Sequence, residues 1–174
     1  MKNSILIFGL IFLLVNCENK ETDFEPSGKT IDFYGLSHFD KIENSFKIID
    51  STAIISDYKI IGYKDIISYS QSTYTFIVSD SISDRLNDFE NQSVHGMPFA
   101  LTVDNKIIYT GYFWAGYSSM GCDWITIDPL DYSRKNKLSV KLGYPGLVLG
   151  DSIPDKRNDS IIISILKQDK KLID

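Results

Sequence analysis

The sequence predicts an α+β domain, an antiparallel sheet with helices packed on one face. Three observations lead there: short runs in which apolar and polar residues alternate, two stretches with apolar residues at helical spacing, and one strongly signalled hairpin between them. The order strand, helix, hairpin, strand, strand, helix keeps the helices apart from the strands, as α+β architecture requires. Ten Tyr and ten Phe favour pleated, half-buried surfaces.

Ile31, Phe33, Tyr34 and Leu36 predict a first strand. The apolar runs Ile48-Ile49 and Ala53-Ile54-Ile55 are compatible with either strand or helix. Ile66 and Ile67 lead into Tyr69, after which Tyr74, Phe76 and Val78 alternate with Thr73, Thr75 and Ile77 as a strand does. Ser81-Ile82-Ser83-Asp84 has the form of a helix start, with Ser81 as its cap. Ile82, Leu86 and Phe89 then share one face of a helix running to Glu90.

Phe99, Leu101 and Val103 form the outgoing arm of the hairpin, Asp104-Asn105 its turn, and Ile107 to Trp114 its return. Trp124 to Ile127 and Leu138 to Leu142 read as two more strands, divided by a loop through Pro129 and Asp131. A Gly- and Pro-containing connection, 143–150, precedes a helix from Arg157 to Lys170. There Ile161, Ile162, Ile165 and Leu166 form an apolar stripe behind Asp155 and Asp159, acids near the positive end of the helix dipole.

Residues 1–16 have the layout of a signal sequence, Lys2 followed by an apolar run from Ile5 to Val15. At about 1.5 Å per residue this run covers little more than half of a hydrocarbon core of roughly 30 Å, too short for a stable span. Leu14-Val15-Asn16-Cys17 resembles the lipobox of bacterial lipoproteins, although Asn16 stands where Gly or Ala is usual. The resemblance implies a diacylglycerol on the Cys17 thiol and cleavage before it. Two or three acyl chains, at about 0.8 kcal/mol per buried CH₂, anchor a protein durably where one does not. Polar residues closed by Pro26 and Gly28 make 17–29 a flexible tether, and 30–174 is a single domain of ordinary size.

The stretch from Thr73 to Phe113, above all Phe99-Ala100-Leu101-Thr102-Val103-Asp104-Asn105-Lys106-Ile107, resembles the periplasmic head domain of the Sec translocase subunit SecD, which implies a ferredoxin-like core. As a whole, with Tyr109 to Trp114, Cys122-Asp123-Trp124-Ile125 and Tyr144-Pro145-Gly146, the chain is similar to small cell-envelope lipoproteins without an assigned activity. These resemblances imply a membrane-anchored place in the cell envelope, with the outer membrane expected.

The chain carries 18 basic and 23 acidic residues with no polybasic run, which argues against a nucleic-acid partner. With Cys17 acylated, Cys122 is left without an internal disulfide partner. The candidate binding segment is the loop of Trp114, Tyr117, Ser118, Ser119, Met120, Cys122 and Trp124, because rigid aromatics on a loop between strands give large contact area with few rotors to freeze. The alternative is that Trp114 and Trp124 close the core while Ser118 and Ser119 satisfy the turn backbone.

Cys122, Asp123 and His95 would supply a thiol nucleophile, orienter and base only if folding brought them together. His38 and Asp40 fall short of a metal site without further ligands. Asp50-Ser51, Asp80-Ser81, Asp151-Ser152 and Asp159-Ser160 resemble acceptors of an envelope O-glycosylation system, and such pairs are equally ordinary helix-start chemistry. No phosphate loop, nucleophile elbow or His-Glu-x-x-His is present. The sequence therefore predicts a lipid-anchored, non-catalytic binding module for an envelope protein or polymer, without a cofactor. The rival readings are a self-protection or inhibitor lipoprotein binding a toxin or hydrolase, and a thiol enzyme using Cys122.

Overall fold

A computed structural model describes residues 24–90, 96–147, 150 and 152–174. The expected signal sequence, Cys17 and His95 lie outside them. The described residues form nine strands: β1 (Ile31–His38), β2 (Ile54–Ile61), β3 (Ile66–Ser70), β4 (Thr75–Val78), β5 (Met97–Val103), β6 (Lys106–Phe113), β7 (Cys122–Ile127), β8 (Lys137–Tyr144) and β9 (Leu172–Ile173). Their spatial order is β2-β1-β5-β6-β7-β8-β4-β3-β9. Three short helices accompany them: α1 (Ser83–Glu90), α2 (Leu130–Lys135) and α3 (Ser160–Gln168).

This architecture corrects the predicted fold class. The sheet is mixed, because β6 runs parallel to β7 and β3 parallel to β9. Helices of six to nine residues make no second layer over nine strands. The ferredoxin-like core implied by the SecD resemblance is absent from the strand order. The resemblance rested on hairpin chemistry, and a hairpin fixes its own two strands but not their neighbours.

The hairpin itself forms as its residues dictate. Asp104 and Asn105 adopt φ of 48° and 64°, the left-handed pair that a two-residue turn needs, and β5 pairs with β6 from Met97↔Phe113 to Val103↔Lys106. On β6, Tyr109, Gly111 and Phe113 point to one face and Thr110, Tyr112 and the following Trp114 to the other.

The sheet coils so strongly that β1 and β4, second and seventh in its order, meet face to face. The Phe33 and Phe76 rings stand 5.3 Å apart at 87°. Phe99 joins them against Phe33 and Phe113, and Tyr69 packs on Phe76. Truncating any of these buried rings to Ala would cost about 3–5 kcal/mol. α3 contributes Ile162, Ile165 and Leu166 to the same core, its start capped by the Asp159 carboxylate accepting from the Ile161 N–H at 2.9 Å.

Ser81 departs from its predicted role. It lies inside a 3₁₀ turn, Asp80–Ile82, and its hydroxyl donates to Asp65 Oδ1 at 3.1 Å instead of capping α1.

Candidate functional site

The distinctive local feature is the connection between β6 and β7. Parallel neighbours ordinarily need a crossover of about a dozen residues or more, yet residues 114–121 make this one. The chain leaves the end of β6 at Trp114, whose N–H donates to Ile127 O at 2.8 Å, and must double back along the sheet to start β7 at Cys122. Such a short return demands a tightly ordered loop. Ser118 N–H closes a turn onto Ala115 O at 2.9 Å, and Ser118 Oγ accepts from Met120 N–H at 3.2 Å. Tyr144 donates its hydroxyl to Gly116 O, and a Cβ on Gly116 would lie 2.2 Å from Asp128 Oδ2.

Both tryptophans point inward. Trp114 is 1% exposed and Trp124 8%. The Trp114 indole N–H donates to Met120 O at 3.2 Å, tying the loop across its own mouth. The Trp114 ring lies 4.9 Å from Phe46 and 6.1 Å from Tyr112, both edge to face. Gly96 approaches it from the other side: at φ +73°, a Cβ there would sit 2.7 Å from Trp114 Cε3. The outward residues are Tyr117, 63% exposed, and Met120, 39% exposed, with exposed Ser119 between them. The seven candidate residues thus divide into an anchored set, Trp114, Cys122 and Trp124, and a displayed set around Tyr117 and Met120, while Ser118 serves the turn.

Sequence reading missed the second wall. Residues 39–46 turn beside the loop, Phe46 against Trp114 and Phe39 and Phe46 against Tyr112. The Asp123 carboxylate holds this turn, accepting from Ser45 Oγ at 2.6 Å and Phe46 N–H at 2.7 Å. Desolvation alone would raise the Asp123 pKa; the bonds from Ser45 and Phe46, with Lys47 nearby, outweigh it and bring the pKa below the ordinary carboxylate value. Residues 39–46 also line a shallow, open recess of about 500 Å³, with Ile42 exposed on it. The available signal was Glu43-Asn44-Ser45, turn residues between Phe39 and Phe46.

Beneath lies a polar relay. Trp124 Nε1 donates to Thr110 Oγ1 at 3.0 Å, Thr110 donates to Asp50 Oδ1 at 2.6 Å, and Lys156 Nζ reaches Asp50 Oδ2 and Ile108 O, both at 3.1 Å. Asp50, one of the Asp-Ser pairs, is thereby engaged in holding the segment after the turn.

Cys122 is 3% exposed, and burial, followed by the Asp123 charge, pushes its thiol up to about 12. Asp123, the imagined orienter, is committed to Ser45 and Phe46. His38 Nε2 stands 4.0 Å from Asp40 Oδ1 with both side chains exposed. Among the described residues there is no group of three or more His, Cys, Asp or Glu able to hold a metal ion, and no helix long and apolar enough to cross a membrane. No family model matches the chain, and no curated protein or solved structure matches it.

Proposed function

We propose that this protein is a lipid-anchored cell-envelope module that binds another envelope protein or polymer through the Trp114–Trp124 loop and the adjoining 39–46 turn, without catalysing a reaction. The observation that carries the binding surface is the split within the loop. Its aromatic ends are buried and hydrogen-bonded, so Tyr117 and Met120 are displayed on a backbone already ordered, and a partner need not supply the ordering entropy. Exposed aromatic and thioether groups are the kinds of side chain that make contact hot spots, and Ile42 is exposed on the 39–46 turn that packs against Trp114.

The anchor rests on Leu14-Val15-Asn16-Cys17 and the apolar run before it. The non-catalytic reading is supported at Cys122, where a buried thiol held in its protonated form is a poor nucleophile.

Two measurements test the proposal. Intact mass and membrane fractionation of wild type beside Cys17→Ala should show a lipid-sized mass increase lost in the variant; a soluble, unacylated wild type removes the anchor. A photo-crosslinking residue at Tyr117 or Met120 should give a discrete envelope adduct that the same residue at exposed Asp57 on β2 does not. Equal labelling from both places removes the loop as the contact surface. A single tight protein adduct would narrow the module to the inhibitor class.

A further inference from the structure

The first described residues are clamped to the end of α3. Ser27 donates both its backbone N–H, at 2.6 Å, and its hydroxyl, at 2.8 Å, to the Asp169 carboxylate, which also accepts from Tyr63 at 2.6 Å. Gln168 Nε2 donates to Glu25 O at 3.2 Å, and Lys170 Nζ stands 4.4 Å over the Phe24 ring. The chain then continues to Thr30, whose N–H donates to Asp104 Oδ1 at 3.0 Å, and into β1. Entry is therefore fixed at one end of the β1-β5-β6 ladder, where Ile31 faces Val103 and Val103 faces Lys106. Trp114 leaves the opposite end, next to the Met97↔Phe113 pair, roughly 23 Å away along β6 at about 3.3 Å per residue.

Seven residue steps separate Cys17 from Phe24. Fully extended they reach at most about 25 Å, so a lipid on Cys17 keeps the membrane close to the clamped end. That end has the composition of a headgroup-facing surface. Lys29, Lys106, Lys167 and Lys170 are exposed there. The acids beside them keep their charge: Asp169, which accepts from Ser27 and Tyr63, exposed Asp104, which accepts from Thr30, and exposed Glu25, so the lysines exceed them by one. Ile161, 46% exposed on the first turn of α3, borders a recess of about 200 Å³ lined also by Val103, Ile108, Lys29, Lys106 and Asp104. Apolar surface beside long cationic side chains suits a headgroup layer, since lysines lay their stems along apolar surface and keep the ammonium at phosphate level.

We infer that the exposed flank of α3 and the Phe24–Lys29 clamp form the membrane-facing surface of the domain, resting on anionic lipid headgroups, so that the end of β6 at Trp114, with the adjoining Tyr117 and the 39–46 turn, points away from the bilayer. This inference rests on the lipid anchor proposed above. It makes the Ser27–Asp169 contact an orienting device: the tether ends at a fixed place on the domain, and lysines at that place meet the surface to which it is tied.

The test uses the full-length lipidated protein in vesicles of phosphatidylethanolamine and phosphatidylglycerol carrying a headgroup quencher. Single cysteines replace Lys29, Lys170, Asn44 or Tyr117 and carry an environment-sensitive dye; buried, protonated Cys122 does not compete for label. The dye at Lys29 and Lys170 should lose most of its emission, and at Asn44 and Tyr117 keep it. The fourfold charge reversal of Lys29, Lys106, Lys167 and Lys170 to Glu, read with the dye at Ser164 on the exposed side of α3, should abolish the quenching seen there without the reversal. Equal quenching at all four sites in protein of lipidated mass overturns the orientation and leaves the anchor intact. Absence of the lipid mass overturns both.

Discussion

Trp124 and Thr110 form the hinge pin of the candidate site: the indole N–H donates to a threonine hydroxyl that in turn donates to Asp50. Thr110 is fully buried and joins Trp124 of β7 to Asp50, in the same segment whose turn Asp123 holds through Ser45 and Phe46. Thr110→Val keeps the shape and removes both bonds, leaving a buried indole N–H and a carboxylate short of a donor. The expected loss is about 1–3 kcal/mol, with Thr110→Ser recovering most of it. Urea unfolding of the three proteins decides, and a Val variant as stable as wild type would show that the relay contributes nothing.

Tyr112 makes the opposite case. Its hydroxyl is buried with no hydrogen-bond partner in the protein among the described residues, while its ring packs on Phe39, Phe46 and Trp114. Tyr112→Phe keeps the rings and removes an oxygen whose desolvation costs about 1–3 kcal/mol. Thermal unfolding should show a melting temperature equal to or above that of wild type. A clear decrease would mean that the hydroxyl has a partner after all.

How far the sequence was legible follows the range of the forces involved. The β5-β6 hairpin, the alternation of Phe76 and Val78 in β4 and the α3 stripe all lie near their expected places, because each is set by residues within a few positions of one another. β2 was not legible: it is an edge strand, and its pairing with β1 shifts register three times, so Ile54, Ile55, Tyr58, Ile60 and Ile61 show no steady alternation. The parallel placement of β7 was hidden for a different reason. Nothing in Trp114 to Gly121 says on which side of β6 the chain returns; that depends on Phe46, Asp123 and Tyr144, which are distant in sequence or belong to later strands. At the candidate site the loop and its aromatic ends could be read directly. The turn that walls it could not, since its tie to Asp123 spans 77 residues.

Gly111 tests the packing across that non-local sheet. On the inner face of β6, a Cβ would lie 2.7 Å from Phe99 Cζ and 2.8 Å from the backbone oxygen of Ile125. The second neighbour is main chain and cannot turn aside. Gly111→Ala should therefore destabilise by about 1–3 kcal/mol through overpacking, despite the better conformational entropy of alanine. An unchanged denaturation midpoint would mean that β6 and β7 separate easily, and would weaken the picture of a rigid loop between them.

Cys122 gives the prediction most directly tied to the proposal that the protein is not a thiol enzyme. Folding raises its pKa from an ordinary value of 9.0 to about 12, first through burial and then through the Asp123 charge, with the Trp124 backbone bond acting the other way. The folded state therefore favours the protonated thiol. Its contribution to stability is fully present below about pH 9 and is lost as pH rises toward 12, because the unfolded chain gives up its proton first. Iodoacetamide at neutral pH should leave Cys122 unmodified in folded protein and label it promptly in urea. Cys122→Ala should flatten the part of the alkaline stability profile between pH 9 and 12, against a wild type measured in the same buffers. Rapid alkylation of the folded protein would mean a thiolate within reach of solvent, and would reopen the thiol-enzyme reading with Cys122 as its nucleophile.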